Sequence, residues 1–492
     1  MHVSLHLPHQ LILLTAFLVA TSPAFSPADQ PNIVVILCDD LGFGDLACYG
    51  HPLIRTPHLD RLAEQGVRFT NFYSAAPVCS PSRVGLLTGR SPNRAGVYDW
   101  IPPASADQPP RPDGRNFVHL RKEEVTLPAL LKQQGYDTCL SGKWHCNSQF
   151  NTVGQPQPDA AGFDHWFATQ NNAAPSHRNP SNFVRNGRAV GEIDGFSCQV
   201  VVDEVIGWLD TRKTESNKRP FFAYVAFHEP HEPVASPEDL VEQYRAMSFT
   251  DDQAQYFANV ENLDRAAGRL LDALERLNVR KNTLVIFSSD NGPETLNRYR
   301  RASRSWGVTG PLRGMKLHTH DGGFHVAGIA SWPGVITAGR VDDTPVSALD
   351  LLPTAVELAG GTLPESCQPD GVSLVSLLCD GVALKRTTPL VWAYYNGIND
   401  ARVAMRHRQW KVLARLNSGQ LPRYSNLTAA RLLEVQQAKL TDFEIYDANE
   451  DPGETRNLHG QVPERDEELV RLLQREYSRL AKDSPAWPQQ AP

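Results

Sequence analysis

Asn32-Ile33-Val34-Val35-Ile36-Leu37-Cys38, followed at once by Asp39-Asp40, is the stretch on which the fold turns. An unbroken apolar run rich in β-branched residues offers no polar face to water. It therefore reads as a strand buried on both sides, the kind found in a parallel sheet covered by helices. Runs of the same character recur at 221–227 (FFAYVAF) and 283–288 (TLVIFS). Helical patterns lie between and around them, at 56–65, 127–134, 200–209 and 256–277. Strands alternating with helices predict an α/β fold, a large mainly parallel sheet sandwiched by helices. In such sheets ligands bind beyond the carboxyl ends of the strands. Asp39-Asp40 and Asp290-Asn291 stand just past two of those ends, and His228 and His231 follow a third.

The pattern changes after a helix expected at 348–359. Short strand-like pieces follow at 390–395, 401–405, 410–414 and 443–446, then a charged amphipathic helix at 464–480. This predicts a small C-terminal α+β subdomain built on an antiparallel sheet. The expected organisation is thus a signal peptide over 1–26, a catalytic domain over 27–375 and the subdomain over 376–492.

The expected leader rests on 11–20 (LILLTAFLVA), followed by small residues up to Ser26. That run is too short for the roughly 20 residues of a membrane span but has the length of an export-signal core, although its n-region carries His2, His6 and His9 and no Lys or Arg. Cleavage near Ser26 and a periplasmic or secreted protein are expected; an N-terminal membrane anchor or a mis-assigned start codon is the alternative. The 492 residues carry 55 acidic and 48 basic side chains, a net charge of −7, with 41% hydrophobic residues. These values describe a globular protein with an ample core, and they argue against a nucleic-acid binder. Eight cysteines (38, 48, 79, 139, 146, 198, 367 and 379) are too scattered for a disulfide scaffold, and none has zinc-site spacing with His partners. Cys367 with Cys379 is the pair most open to bridging if the protein is exported.

The segment Cys79-Ser80-Pro81-Ser82-Arg83, continuing to Thr88-Gly89-Arg90, reads as the start of a helix, with Ser80 as its cap and Pro81 in the first turn. Backbone N–H groups at such a terminus favour a bound anion. Taken alone, Cys79 would be no more than a small apolar residue under a helix cap. Asp39, Asp40, Asp290 and Asn291 are hard oxygen donors suited to Ca²⁺ or Mg²⁺. Adjacent aspartates repel one another unless a cation lies between them.

Cys-x-Pro-x-Arg at 79–83 resembles the signature of the formylglycine-dependent sulfatases, members of the alkaline phosphatase superfamily. The resemblance runs along most of the chain, through Asp39-Asp40-Leu41-Gly42, Gly142-Lys143-Trp144-His145 and His231-Glu232-Pro233. It continues through Ser289-Asp290-Asn291-Gly292, 310–316 (GPLRGMK), and Tyr446-Asp447 with 450–454 (EDPGE). Its flavour is that of the arylsulfatase A and N-acetylgalactosamine-6-sulfatase branch. The resemblance implies oxidation of Cys79 to formylglycine by a formylglycine-generating enzyme, which would leave seven thiols and so at least one unpaired. Cys38 is the expected buried free one.

The same resemblance implies a divalent metal, calcium or else magnesium, held by Asp39, Asp40, Asp290, Asn291 and the modified residue 79. It assigns Arg83 to holding the hydrated aldehyde and Lys143 to the sulfate. His145 would be the base, with His231 and Lys316 at the sulfate and the leaving oxygen. One hydroxyl of the hydrate would attack sulfur and release the alcohol, and the other would then expel sulfate by elimination, restoring the aldehyde. A sulfated carbohydrate or an aryl sulfate is the implied substrate. A phosphodiesterase or phosphonate monoester hydrolase of the same superfamily, and a silent Ca²⁺-dependent glycan-binding protein, are the alternatives.

Two departures from the family pattern stand out. Asp321-Gly322-Gly323-Phe324-His325 replaces a Glu-Gly-Gly followed by Arg, and His228 stands where Asn is common. His228 is expected on the substrate side or just behind the site. Residues 295–320 contain no Asp or Glu but carry Arg298, Arg300, Arg301, Arg304, Arg313 and Lys316. This run is expected either to line the cleft mouth and attract a sulfated polymer or to contact acidic neighbours as a solvated loop.

Overall fold

The computed structural model describes residues 30–105, 109, 111–212, 219–295, 302–384 and 386–488. The expected leader and Arg298, Arg300 and Arg301 lie outside the described residues. In chain order the large sheet comprises β1 (Asn32–Asp39), β2 (Val67–Tyr73), β3 (Asp137–Lys143), β4 (His165–Thr169), β5 (Val184–Arg185) and β6 (Arg188–Ala189). It continues with β7 (Phe221–Pro230), β8 (Thr283–Ser289), β9 (His325–Ser331), β10 (Arg340–Asp342) and β11 (Val346–Ser347). Across the sheet they run β10-β2-β9-β8-β1-β7-β3-β4-β5-β6, with β11 also paired to β2.

β1 lies at the centre, parallel to both neighbours: Val34 sits opposite Ala223 on one side and Val285 on the other. Every residue of β1 is buried. Its side chains alternate as a strand's must. Ile33, Val35 and Leu37 enter one core, below the helices Cys79–Thr88, Leu127–Gln133 and Leu351–Leu358. Val34, Ile36 and Cys38 enter the other, below Pro57–Glu64, Ser197–Arg212 and Asp251–Arg276. The expected α/β sandwich is therefore present.

Two strands carry no clear sequence signal. β2 (VRFTNFY) interleaves polar residues, and β9 (HVAGIAS), antiparallel to both β2 and β8, is built of small ones. Gly328 explains the latter, since a Cβ there would come within 2.4 Å of the Phe72 ring. Among the described residues no helix is long and apolar enough to cross a membrane.

The eight cysteines are free. Cys38 is fully buried, as expected, and burial raises its thiol well above the usual range. The suggested Cys367–Cys379 bridge is corrected. Cys367 is buried in the first core and Cys379 packs against the same cluster, so both act as apolar filling.

The smaller sheet is antiparallel, in the order β12 (Leu390–Ala393), β13 (Val403–His407), β14 (Trp410–Leu416), β15 (Leu440–Asp447). The helix Pro463–Asp483 covers it with Leu469, Leu473, Tyr477 and Leu480. The helix Val375–Asp380 instead places Leu377 and Leu378 in the core of the large sheet.

The two parts are joined by a buried charge. Lys411 of β14 is fully buried, and its ammonium contacts the Asp321 carboxylate, with Glu454 Oε1 at 3.4 Å. It also sits 4.4 Å from the centre of the Phe324 ring, which stacks on Trp392 at 4.1 Å. Glu454 in turn accepts from the Asp321 backbone N–H at 3.2 Å. The departure at 321–325 is thus the clamp by which the small sheet grips the large one. Lys411→Met would leave two buried carboxylates facing each other without a cation. A loss of about 3–5 kcal/mol is expected, read as a lower urea midpoint.

Candidate active site

The strand order brings β8, β1, β7 and β3 side by side, and each delivers chemistry at its carboxyl end. β1 ends in Asp39, and Asp40 follows it at φ 64°. Asp290 and Asn291 follow β8, and His231 follows β7. Lys143 closes β3, two residues ahead of His145. Gly142 is required before Lys143: its φ is 111°, and a Cβ would lie 1.8 Å from the Ala226 carbonyl oxygen.

Cys79 is the first residue of the helix Cys79–Thr88, whose ten residues are all buried. Ser80 does not cap it, contrary to expectation. Val78 occupies the cap position, and Ser80, already inside the first turn, uses its Oγ to accept from the Ile101 N–H at 2.9 Å.

Around Cys79 the carboxylates and cations are paired. Arg83, fully buried, donates from Nε to Asp290 Oδ2 at 2.8 Å and from Nη1 to the Lys143 carbonyl at 3.0 Å. Lys143 contacts Asp39. Asp40 receives Lys316 Nζ at 2.7 Å and Asn291 Nδ2 at 2.7 Å. Burial alone would raise the Asp39 carboxyl, but Lys143, His231, Arg83 and Lys316 together hold it well below the usual carboxylate range. Burial and the neighbouring Asp39 charge push Asp290 the other way.

Two oxygens, Asp39 Oδ1 and Asn291 Oδ1, are buried with no hydrogen-bond partner. Ligand atoms of Asp39, Asp290 and Cys79 lie within 4.8 Å of one another, as do those of Asp39, Asp40 and His231. Oxygen donors at this density, two of them unsatisfied, fit a hard divalent cation.

Both histidines have their tautomer fixed by a carbonyl, which can only accept. His145 donates from Nε2 to Ile101 O at 3.0 Å, leaving a buried, unpartnered Nδ1. His231 donates from Nδ1 to Glu232 O at 2.6 Å, and its Nε2 stands 3.6 Å from Asp40 Oδ2. Burial, with Lys143 and Arg83, holds His145 well below its ordinary value. Burial and Lys316 bring His231 down to about 4. Burial pushes the Cys79 thiol up to about 11, against the pull of Lys143 and Lys316.

A cavity of about 410 Å³ opens onto this centre, lined by Val78, Cys79, Trp100, His145, Asn171, His231, Lys316 and Leu317. Of these, Val78, Trp100, Asn171 and Leu317 belong to no motif that sequence reasoning singled out; Val78 and Leu317 adjoin Cys79 and Lys316 in the chain, whereas only the fold brings Trp100 and Asn171 here. His228 lies behind the wall: it is buried, its ring meets Phe183 edge-on, and its Nε2 is 2.8 Å from Thr169 Oγ1.

Of the two readings of the basic run, cleft mouth or contact with neighbouring groups, its described arginines follow the second. Arg304 turns to Asp252 Oδ1 at 3.1 Å and Val234 O at 2.6 Å. Arg313 donates to Glu454 O at 3.1 Å. Local acceptors thus claim both guanidiniums, and among the described cations of the run Lys316 alone lines the cavity.

Residues 31–361 match the family model described as Sulfatase. The chain is 34% identical over 481 residues to human arylsulfatase A, covering 93% of this chain and 89% of that protein. It is 35% identical to human N-acetylgalactosamine-6-sulfatase, covering 75% and 68%. Among solved structures, Ps i-CgsB in complex with k-i-k-neocarrahexaose superposes with a TM-score of 0.74 at 26% identity, covering 93% of this chain and 94% of that one. An α/β sheet with a buried cluster of paired carboxylates and cations at its strand ends, in a chain with these relatives, defines a sulfuric ester hydrolase. The chain belongs to the sulfatase family.

Proposed function

We propose that the protein is an exported sulfatase acting on sulfated carbohydrates, with a formylglycine made from Cys79 as nucleophile and a divalent cation, calcium or magnesium, at its centre. The observation that carries this reading is Cys79 itself, a buried residue at a helix N-terminus, set among three carboxylates (Asp39, Asp40, Asp290) and the three cations paired with them (Lys143, Lys316, Arg83), with its thiol raised to about 11. A thiol so placed holds almost no thiolate at neutral pH. A converted residue 79 does not need one, and the maturation requires a formylglycine-generating enzyme as partner.

Asp39, Asp40, Asp290 and Asn291 would hold the cation, with residue 79 completing the set. Together the hydrated aldehyde and the cation supply an activated oxygen nucleophile at neutral pH. Arg83, fixed by Asp290, orients residue 79 from below. Lys143 and Lys316 offer ammonium groups to the non-bridging oxygens of a sulfate, where charge grows as the ester bond breaks. His145 is neutral with Nδ1 free to accept a proton from residue 79. His231 presents Nε2 on the side of Lys316 and Asp40, where the leaving oxygen would depart.

Sulfated sugars as substrates rest on kinship with N-acetylgalactosamine-6-sulfatase and on the fold shared with Ps i-CgsB. The reading is tested by comparing 4-nitrophenyl sulfate with bis(4-nitrophenyl) phosphate on one preparation. Sulfate turnover is expected to exceed diester turnover by about 10²-fold or more in kcat/KM, the order of discrimination that differential transition-state binding supplies. Faster diester turnover would overturn the assignment.

A further inference from the structure

The cavity has a wall that the proposed chemistry does not use. Trp100 and Leu317 pack against Val78, Cys79 and Tyr394, and both remain partly exposed to the cavity. The indole of Trp100 is held from one side. The Arg115 guanidinium lies over its ring, 5.0 Å from the centre, and is itself 3.4 Å from Asp99. Asp99 is buried and accepts from Tyr394 OH at 2.8 Å and Asn396 Nδ2 at 2.9 Å. An aromatic plate fixed in this way loses little entropy when a ligand meets it.

Asn171 borders the same cavity, just beyond β4. Its backbone is pinned, because the Thr169 hydroxyl donates to the Asn171 carbonyl at 2.6 Å. Thr169 has then spent its only hydrogen, so its oxygen must accept from His228 Nε2 at 2.8 Å. This gives the buried His228 a task behind the site. The side-chain Oδ1 of Asn171 is buried without a hydrogen-bond partner, an arrangement that costs free energy unless a ligand donates to it.

We propose that Trp100 and Asn171 recognise the ring of the leaving alcohol, the indole stacking on the apolar face of a pyranose while Asn171 Oδ1 accepts from one of its hydroxyls. The inference rests on the sulfatase reading above and narrows it to a sugar presented at a chain end. The cavity, about 410 Å³, lies toward the small end of the roughly 300–1,000 Å³ of ligand sites, room for one or two rings.

The test uses the mature enzyme with 4-nitrophenyl sulfate and with whichever monosulfated hexose of a defined panel it hydrolyses fastest. Trp100→Ala is expected to raise KM for the hexose sulfate about tenfold or more with kcat changed less than about threefold, and Trp100→Phe to recover most of the loss. Asn171→Ala is expected to lower the ratio of kcat/KM for hexose sulfate over 4-nitrophenyl sulfate by about tenfold or more, because the aryl ester has no hydroxyl to lose. That ratio, taken on one preparation, is independent of the fraction correctly folded.

A fall in kcat at constant KM for Trp100→Ala, a Phe variant as impaired as the Ala variant, or an unchanged ratio for Asn171→Ala would overturn the inference. Wild-type turnover of the aryl ester with none of any hexose sulfate would also overturn it, leaving sulfate ester hydrolysis standing without the carbohydrate substrate. Turnover of neither ester would overturn that reading.

Discussion

Cys79→Ala is expected to abolish sulfate ester hydrolysis, with kcat falling by about 10⁴-fold or more, as for loss of a covalent nucleophile. The fold should survive. Cys79 is small, and its helix is set by Pro81, by the Ser80–Ile101 contact and by Arg83 on Asp290 rather than by the thiol. Removing one buried sulfur leaves a minor void worth about 1 kcal/mol. Circular dichroism and the thermal midpoint of the variant should therefore stay near the wild type while turnover disappears. Retained activity would refute residue 79 as the nucleophile, and joint loss of fold and activity would show its role to be structural.

The second large effect is expected at Asp290. Its carboxylate meets Arg83 at 2.8 Å with both side chains fully buried, and it belongs to the cluster that would hold the cation. Asp290→Ala strands a buried guanidinium, for which a loss of about 3–5 kcal/mol is expected, and it removes one cation ligand. The two consequences separate in a melting experiment. Wild-type protein should gain stability with added calcium in the manner of any ligand that binds the folded state alone. Asp290→Ala should start lower and respond far less. Equal calcium responses from the two proteins would take Asp290 out of the metal set.

The sequence was most legible where a single physical demand acts on neighbouring residues. A strand buried on both faces must be apolar throughout, so β1, β7 and β8 announced themselves, and the polar residues immediately after them stood out by contrast. Cys79-x-Pro81-x-Arg83 was legible through its resemblance to the sulfatase signature, since its residues alone announce only the start of a helix. The antiparallel β9 was not, since its small residues answer to Phe72, far away in the chain. Trp100 and Asn171 were invisible for the same reason: each is an ordinary loop residue until β3, β4 and the helix Cys79–Thr88 meet. The basic run at 295–320 left two readings open because charge in sequence carries no direction, and Arg304 and Arg313 spend theirs on neighbouring acceptors. The Asp321 departure gained its meaning from Lys411, 90 residues later, where a second sheet supplies the cation.

The central claim is that residue 79 works as an aldehyde. Mass spectrometry of the peptide spanning Cys79, taken from protein made in its native host, tests it most directly. Replacement of the thiol by an aldehyde lowers the peptide mass by about 18 Da, and that shift is the predicted result. A peptide carrying the intact thiol in a preparation that turns over sulfate esters would contradict the account.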